Sequence, residues 1–151
     1  MNFRNCVVAT ALIAASGISA YAHSGATGVV KERMEMMSNI ASEMKFIGKM
    51  LKGSIAFDAE AAAIAAAAIA DYAGQIPEVF PATSGGGLSE AAPAIWENWD
   101  EFVALSDETA SRAATLAEAV ESAADPMDVR PAFRTLGNAC LSCHEDFREA
   151  G

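Results

Sequence analysis

Cys140-Leu141-Ser142-Cys143-His144 decides how the rest of this chain is read. C-x-x-C-H is the pattern of covalent haem attachment. A helix advances about 100° per residue, so positions three apart share one side. Both thiols can therefore add across the vinyl groups of one haem. His144 follows the second thiol and is held against the iron as an axial ligand. The rival readings fit poorly. A thioredoxin-like thiol pair needs a βαβ setting, and no strand-like alternation occurs in this sequence. A zinc site wants four ligands, and beyond the two thiols the chain offers only His144 and His23 outside the leader described next.

Working back to the N-terminus, Arg4 is the only charge before His23. An apolar run from Cys6 to Ile18 follows, then Ala20-Tyr21-Ala22, a small-x-small cleavage site. Residues 1–22 thus read as a cleaved secretory signal, with the domain at 23–151. The apolar run is shorter than the roughly 20 residues a membrane span needs. Without Cys6, the only thiols left are those of the haem motif. The remaining chain sets nine basic against twenty acidic residues. So acidic a chain is ill suited to nucleic acid or an anionic membrane. On net charge alone, a redox partner should offer a basic or apolar docking surface.

The composition between these ends is helical, with alanine dominant beside Leu, Ile, Met, Glu and Lys. Four helices are predicted, as an all-α, antiparallel up-down-up-down bundle. The first spans Ala26 to Lys52 and stops at Gly53. The second opens on Asp58 as N-cap and ends near Gln75. Pro77, Pro81 and Gly85-Gly86-Gly87 mark a long loop. The third runs from Ser89 or Pro93 to Ala123. The fourth starts at Asp125 or, preferably, at Asp128, which keeps Pro131 in the first turn, and ends near Ala150.

The other face of the iron is the open question. His144 is the only histidine outside the N-terminal region, so a sixth ligand is methionine, an exogenous small molecule, or nothing. Val30, Arg33, Met37, Ile40, Ala41, Met44, Gly48 and Leu51 share one face of the first helix, which should point inward. Met37 is then placed either to meet the iron or to fill core space. Arg33, one turn earlier, should be buried against anionic partners such as haem propionates. Arg148, four residues after His144, should lie on the proximal side. Trp96, Trp99 and Phe102 recur at helical spacing, and one of them should touch the haem; Phe133 and Leu136 are similar candidates for the apolar wall. Met36, Phe46, Ile47 and Met50 form a second apolar strip that suggests a helix-packing or dimer surface.

The chain resembles the class II cytochromes c, the cytochrome c′ family and its low-spin relatives. The resemblance rests on Val30-Lys31-Glu32-Arg33 followed by Met37, Lys52-Gly53, Phe57-Asp58, Phe80-Pro81, Pro93-Ala94-Ile95-Trp96, and Cys140 through Arg148. It implies a left-handed four-helix bundle, often a homodimer, in the bacterial periplasm, with one haem c on Cys140 and Cys143 and His144 as proximal ligand. Met37 matches the position that ligates iron in the low-spin branch and lines the distal pocket in high-spin members, which bind NO or CO. The Met-rich stretch Met34-Glu35-Met36-Met37 favours the low-spin branch, an electron carrier. No distal histidine is present to move protons, as a peroxidase would need.

Overall fold

The structure, a computed structural model, describes residues 25–149. The proposed signal, its cleavage site and His23 lie outside the described residues. Helix α1 is Gly28–Leu51, α2 Ala59–Gln75, a short α3 Ala94–Glu97, α4 Trp99–Ser122 and α5 Pro126–Phe147. The architecture is the predicted all-α four-helix bundle, built from α1, α2, α4 and α5. Among the described residues, no helix is long and apolar enough to cross a membrane.

The helix ends follow from local chemistry. Gly53 takes φ +73° after α1, a conformation glycine adopts without a Cβ penalty. Its N–H donates to the Met50 carbonyl and that of Ser54 to Lys49, both at 2.9 Å, which closes a Schellman turn. The Asp58 carboxylate accepts the Ala61 N–H at 3.0 Å and opens α2. Asp125 does the same for α5, accepting from Met127 N–H at 2.7 Å, with Pro126 at the first helical position. The preferred start at Asp128 is therefore wrong, and Pro131 lies inside the helix. The Asp125 cap outweighs the one backbone bond that Pro131 forgoes.

The third predicted helix is interrupted. Asn98, with φ −127° and ψ 49°, separates α3 from α4. The break lets Trp96 turn toward the preceding loop while Phe102 faces the core. At its end, α5 stops at Phe147 rather than Ala150, because the chain becomes extended at Arg148 and pairs antiparallel with Ala91.

Packing is uneven around the bundle. Ala62, Ala65, Ala66, Ile69 and Ala73 of α2 are buried along α4, and the small side chains let the two helices run close together. Ser106 of α4 donates to the Ala73 carbonyl at 2.6 Å in that seam. By contrast α1 and α5 meet only sparsely. The second apolar strip of α1 is not an outer face: Ile47 is fully buried and Met50 nearly so, with Met36 and Phe46 packed against the same core. The inward face of α1 is rotated from the expected one. The Met37 stripe is left to look along the α1–α5 seam.

Candidate functional site

That seam opens at one end of the bundle into a cavity of about 430 Å³. Val30, Met34, Met37 and Ala41 line it from α1, and Cys143, His144 and Phe147 line it from α5. Phe80, Ile95 and Phe102 close the floor. Their rings form a continuous aromatic stack: Phe102 lies 4.9 Å from Phe80 and 5.4 Å, edge on, from Phe147.

The two walls are in register. The Arg130 guanidinium reaches the Leu51 carbonyl at 2.6 Å, and Phe133 packs against Gly48, where an added Cβ would lie 3.4 Å from the ring. Three residues back along α1 thus match three forward along α5, as antiparallel helices with equal rise require. Carried on, the same register sets Met37 level with His144. Both residues line the cavity, Met37 from α1 and His144 from α5.

Cys140 and Cys143 are free and half-buried, one turn apart on the inner side of α5. Burial, with Cys140 and Asp146 adding, pushes the Cys143 thiol up to about 11. Burial also raises Cys140, against a backbone hydrogen bond that lowers it. Both thiols therefore rest protonated near neutral pH. Burial, with the Arg148 cation adding, lowers the His144 imidazole below its ordinary range, and Glu90 opposes this. A neutral imidazole is the form that can bind iron.

Arg33 is buried, only 5% exposed, and does line the cavity. Its partners among the described residues are neutral oxygens. The guanidinium donates to the carbonyls of Val79 and Ser84 and to the hydroxyls of Ser84 and Ser89, each hydroxyl at 2.7 Å. It also stacks on Phe80, 3.8 Å above the ring centre. A delocalised cation can be buried this way because enough oriented dipoles replace its water. What Arg33 does here is fasten segment 79–89 over the cavity.

Three other expectations need correcting. Trp96 does not line the cavity: its indole N–H donates to the Phe80 and Pro81 carbonyls at 3.2 Å, and its ring presses on Gly85. Phe133 fills the α1–α5 seam at Gly48 instead of the cavity. Arg148 does line it, but not through helical spacing from His144. It lies beyond the helix, in the antiparallel bridge, where Ala92 N–H donates to the Phe147 carbonyl at 3.0 Å and Glu149 N–H to Glu90 at 2.8 Å. Its side chain pairs with Glu90 at 2.7 Å.

Of the aromatic stripe on the third predicted helix, Phe102 does line the cavity. Sequence reasoning missed Phe80, Leu88, Glu90 and Phe147 as walls, because they come from a loop and a terminal turn, where no periodicity reports direction.

These residues fit a covalent haem. The cavity is walled by apolar side chains and aromatic rings. Two thiols stand one turn apart beside it, and a neutral histidine stands within. Cys140 and Cys143 would hold the group, His144 would bind its iron, and the group would supply one-electron redox chemistry. Fold and site together define a four-helix-bundle haem c protein.

The comparisons make the class specific. The family model described as Cytochrome C' matches residues 28–148. The cytochrome c-556 of Agrobacterium fabrum is 39% identical over 125 residues, 82% of this chain and 82% of that protein. The cytochrome c′ of Rhodopseudomonas palustris is 32% identical over 149 residues, 98% of this chain and 97% of that protein. The solved structure of cytochrome c′ from Rhodopseudomonas palustris superposes with a TM-score of 0.75 at 32% identity, covering 83% of this chain and 98% of that one. The chain belongs to the cytochrome c′ family of class II cytochromes c, and is a haem c cytochrome carrying one covalently bound haem.

Proposed function

We propose that this cytochrome is an electron carrier with His144 and Met37 as the two axial ligands. One observation carries this reading: Met37 stands level with His144 on the opposite wall of one cavity. A thioether ligand favours a low-spin iron of raised potential, suited to cycling between ferric and ferrous states. The protein's own contribution is a rigid aromatic floor, fixed walls and an apolar surround, which limit reorganisation on electron transfer. This reading makes the role transfer and not catalysis. We further propose that residues 1–22 direct export to a bacterial periplasm and are removed, leaving 23–151 as the single working domain.

The optical spectrum tests the ligand set. The reduced protein should show sharp, resolved α and β bands and ignore carbon monoxide. Met37→Ala should turn high-spin and gain carbon monoxide affinity. If that variant leaves the ferrous spectrum unchanged, Met37 does not bind the iron.

A five-coordinate reading has its own support. Around Met37 the wall is mostly apolar, with Val30, Met34 and Ala41 beside the Ser38 hydroxyl. A mostly apolar wall suits NO or CO. A broad, high-spin wild-type spectrum that shifts with carbon monoxide would make the protein a gas binder.

A further inference from the structure

The net charge of −10 conceals a segregation. Nine basic residues lie among the described ones. Lys31, Arg112 and Arg148 are paired with Glu35, Glu108 and Glu90. Arg33 is buried under the loop. The remaining five, Lys45, Lys49, Lys52, Arg130 and Arg134, are all exposed, and none makes an ion pair among the described residues.

All five fall on one surface. On α1, Lys45, Lys49 and Lys52 lie within about 60° of one another at 100° per residue, on the outer side of the line through Gly48. On α5, Arg130 and Arg134 take the matching outer side of the line through Phe133. Gly48 and Phe133 are in contact, so the two stripes flank one seam. The α5 stripe continues to Leu141, which is 60% exposed beside Cys140. Arg134 precedes Cys140 by about 9 Å of helix. Glu43 on α1 and Asp128 on α5 project about 160° from Lys45 and Arg130, away from this surface. Glu35 on its margin is engaged by Lys31, and Glu145 lies further along α5. The outer side of α4 is instead acidic, with Asp107, Glu118 and Glu121 exposed.

We infer that the outer α1–α5 face is the docking surface for an acidic redox protein, with Lys45, Lys49 and Arg134 steering it and Leu141 forming the apolar contact at the haem edge. This rests on the reading of the protein as an electron carrier. Net charge argues for a basic partner, but steering depends on the local field where electrons leave. At distances beyond a Debye length of about 10 Å the remote acids are screened. A local acidic patch can meet this face without meeting the rest of the molecule. An extended anionic bilayer cannot, which favours a protein over a membrane.

The test uses the reduced holoprotein and ferricyanide, an anionic oxidant, in stopped flow from about 0.1 to 0.5 M ionic strength, where the Debye length is about 10 Å or less. The surface requires a rate that falls with added salt, against the sign that the net charge dictates. K45E/K49E/R134E should slow the low-salt rate by about tenfold and reverse the slope. D107K/E118K/E121K on α4, an equal and opposite change of net charge, should leave the slope nearly unchanged. Lys52 and Arg130 are left intact because Arg130 holds the Leu51 carbonyl. The neutral K45Q/K49Q/R134Q form gives an intermediate effect if charge, and not folding, is responsible. A wild-type rate that rises with salt, equal responses from both triple variants, or co-sedimentation with phosphatidylglycerol vesicles each overturns the assignment. Failure of the carrier reading is seen separately, as carbon monoxide binding by the wild-type protein.

Discussion

The two sides of this bundle solve opposite problems with the same element. Along α2 and α4, alanines bring two helices together until Ala62, Ala66 and Ala73 lose all contact with water. Along α1 and α5, Arg130 and Phe133 hold one end of the seam together. Methionines and phenylalanines leave the other end open as a cavity. The sealed side supplies rigidity, and the open side supplies room for chemistry. Side-chain size decides which side a helix pair becomes: α2 is small and apolar almost throughout, whereas α1 and α5 carry long side chains beside charged faces.

The largest expected effect concerns the segment over the open side. Arg33→Ala leaves the Val79 and Ser84 carbonyls and the Ser84 hydroxyl without their partner, at a cost of about 2 to 3 kcal/mol. Hydrogen exchange of residues 79–89 should accelerate, while amides in the α2–α4 half stay protected. Uniform acceleration would mean that the two sides are one cooperative unit.

A matched pair of substitutions measures the asymmetry itself. Ala66→Leu forces a branched side chain into the closed seam and should lower stability by about 1 to 3 kcal/mol. Ala41→Leu projects into the cavity and should stay within about 0.5 kcal/mol in chemical denaturation of the haem-free protein. Equal losses would erase the distinction.

The smallest effect is one of pH. A haem-free C140S/C143S chain retains His144 with its imidazole lowered mainly by burial. The unfolded chain then takes up the proton first, near pH 6.5. Stability is fully present above that value and declines as the pH falls through it. Urea midpoints between about pH 7.5 and 5.5 should show this slope, and His144→Gln should flatten it.

Much of this was legible in the sequence. The haem motif, the four long helices, Asp58 as a cap and Gly53 as a stop are local signals, and each was read from a few adjacent residues. That Met37 and His144 line one cavity was also legible, because both lie on regular helices. What was not legible depends on distant partners. Burial of Arg33 follows from its helix face, but the carbonyl and hydroxyl oxygens around it come from a loop some fifty residues away. Trp96 was taken for a wall because the break at Asn98 has no strong sequence mark. Ile47 and Met50 do form a helix-packing surface, one of the two roles their strip suggests, but two apolar strips compete for the core on α1 and only the position of α2 decides between them.

The strap over the cavity has two fastenings of different chemical kind. One is the Arg33 cluster, buried and held by neutral carbonyls and hydroxyls. The other is the Arg148–Glu90 pair, a charge pair about half open to water. Salt screens exposed charges and leaves buried dipoles almost untouched. Added salt therefore loosens the edge of the strap at Glu90, while its root over Phe80 stays fixed.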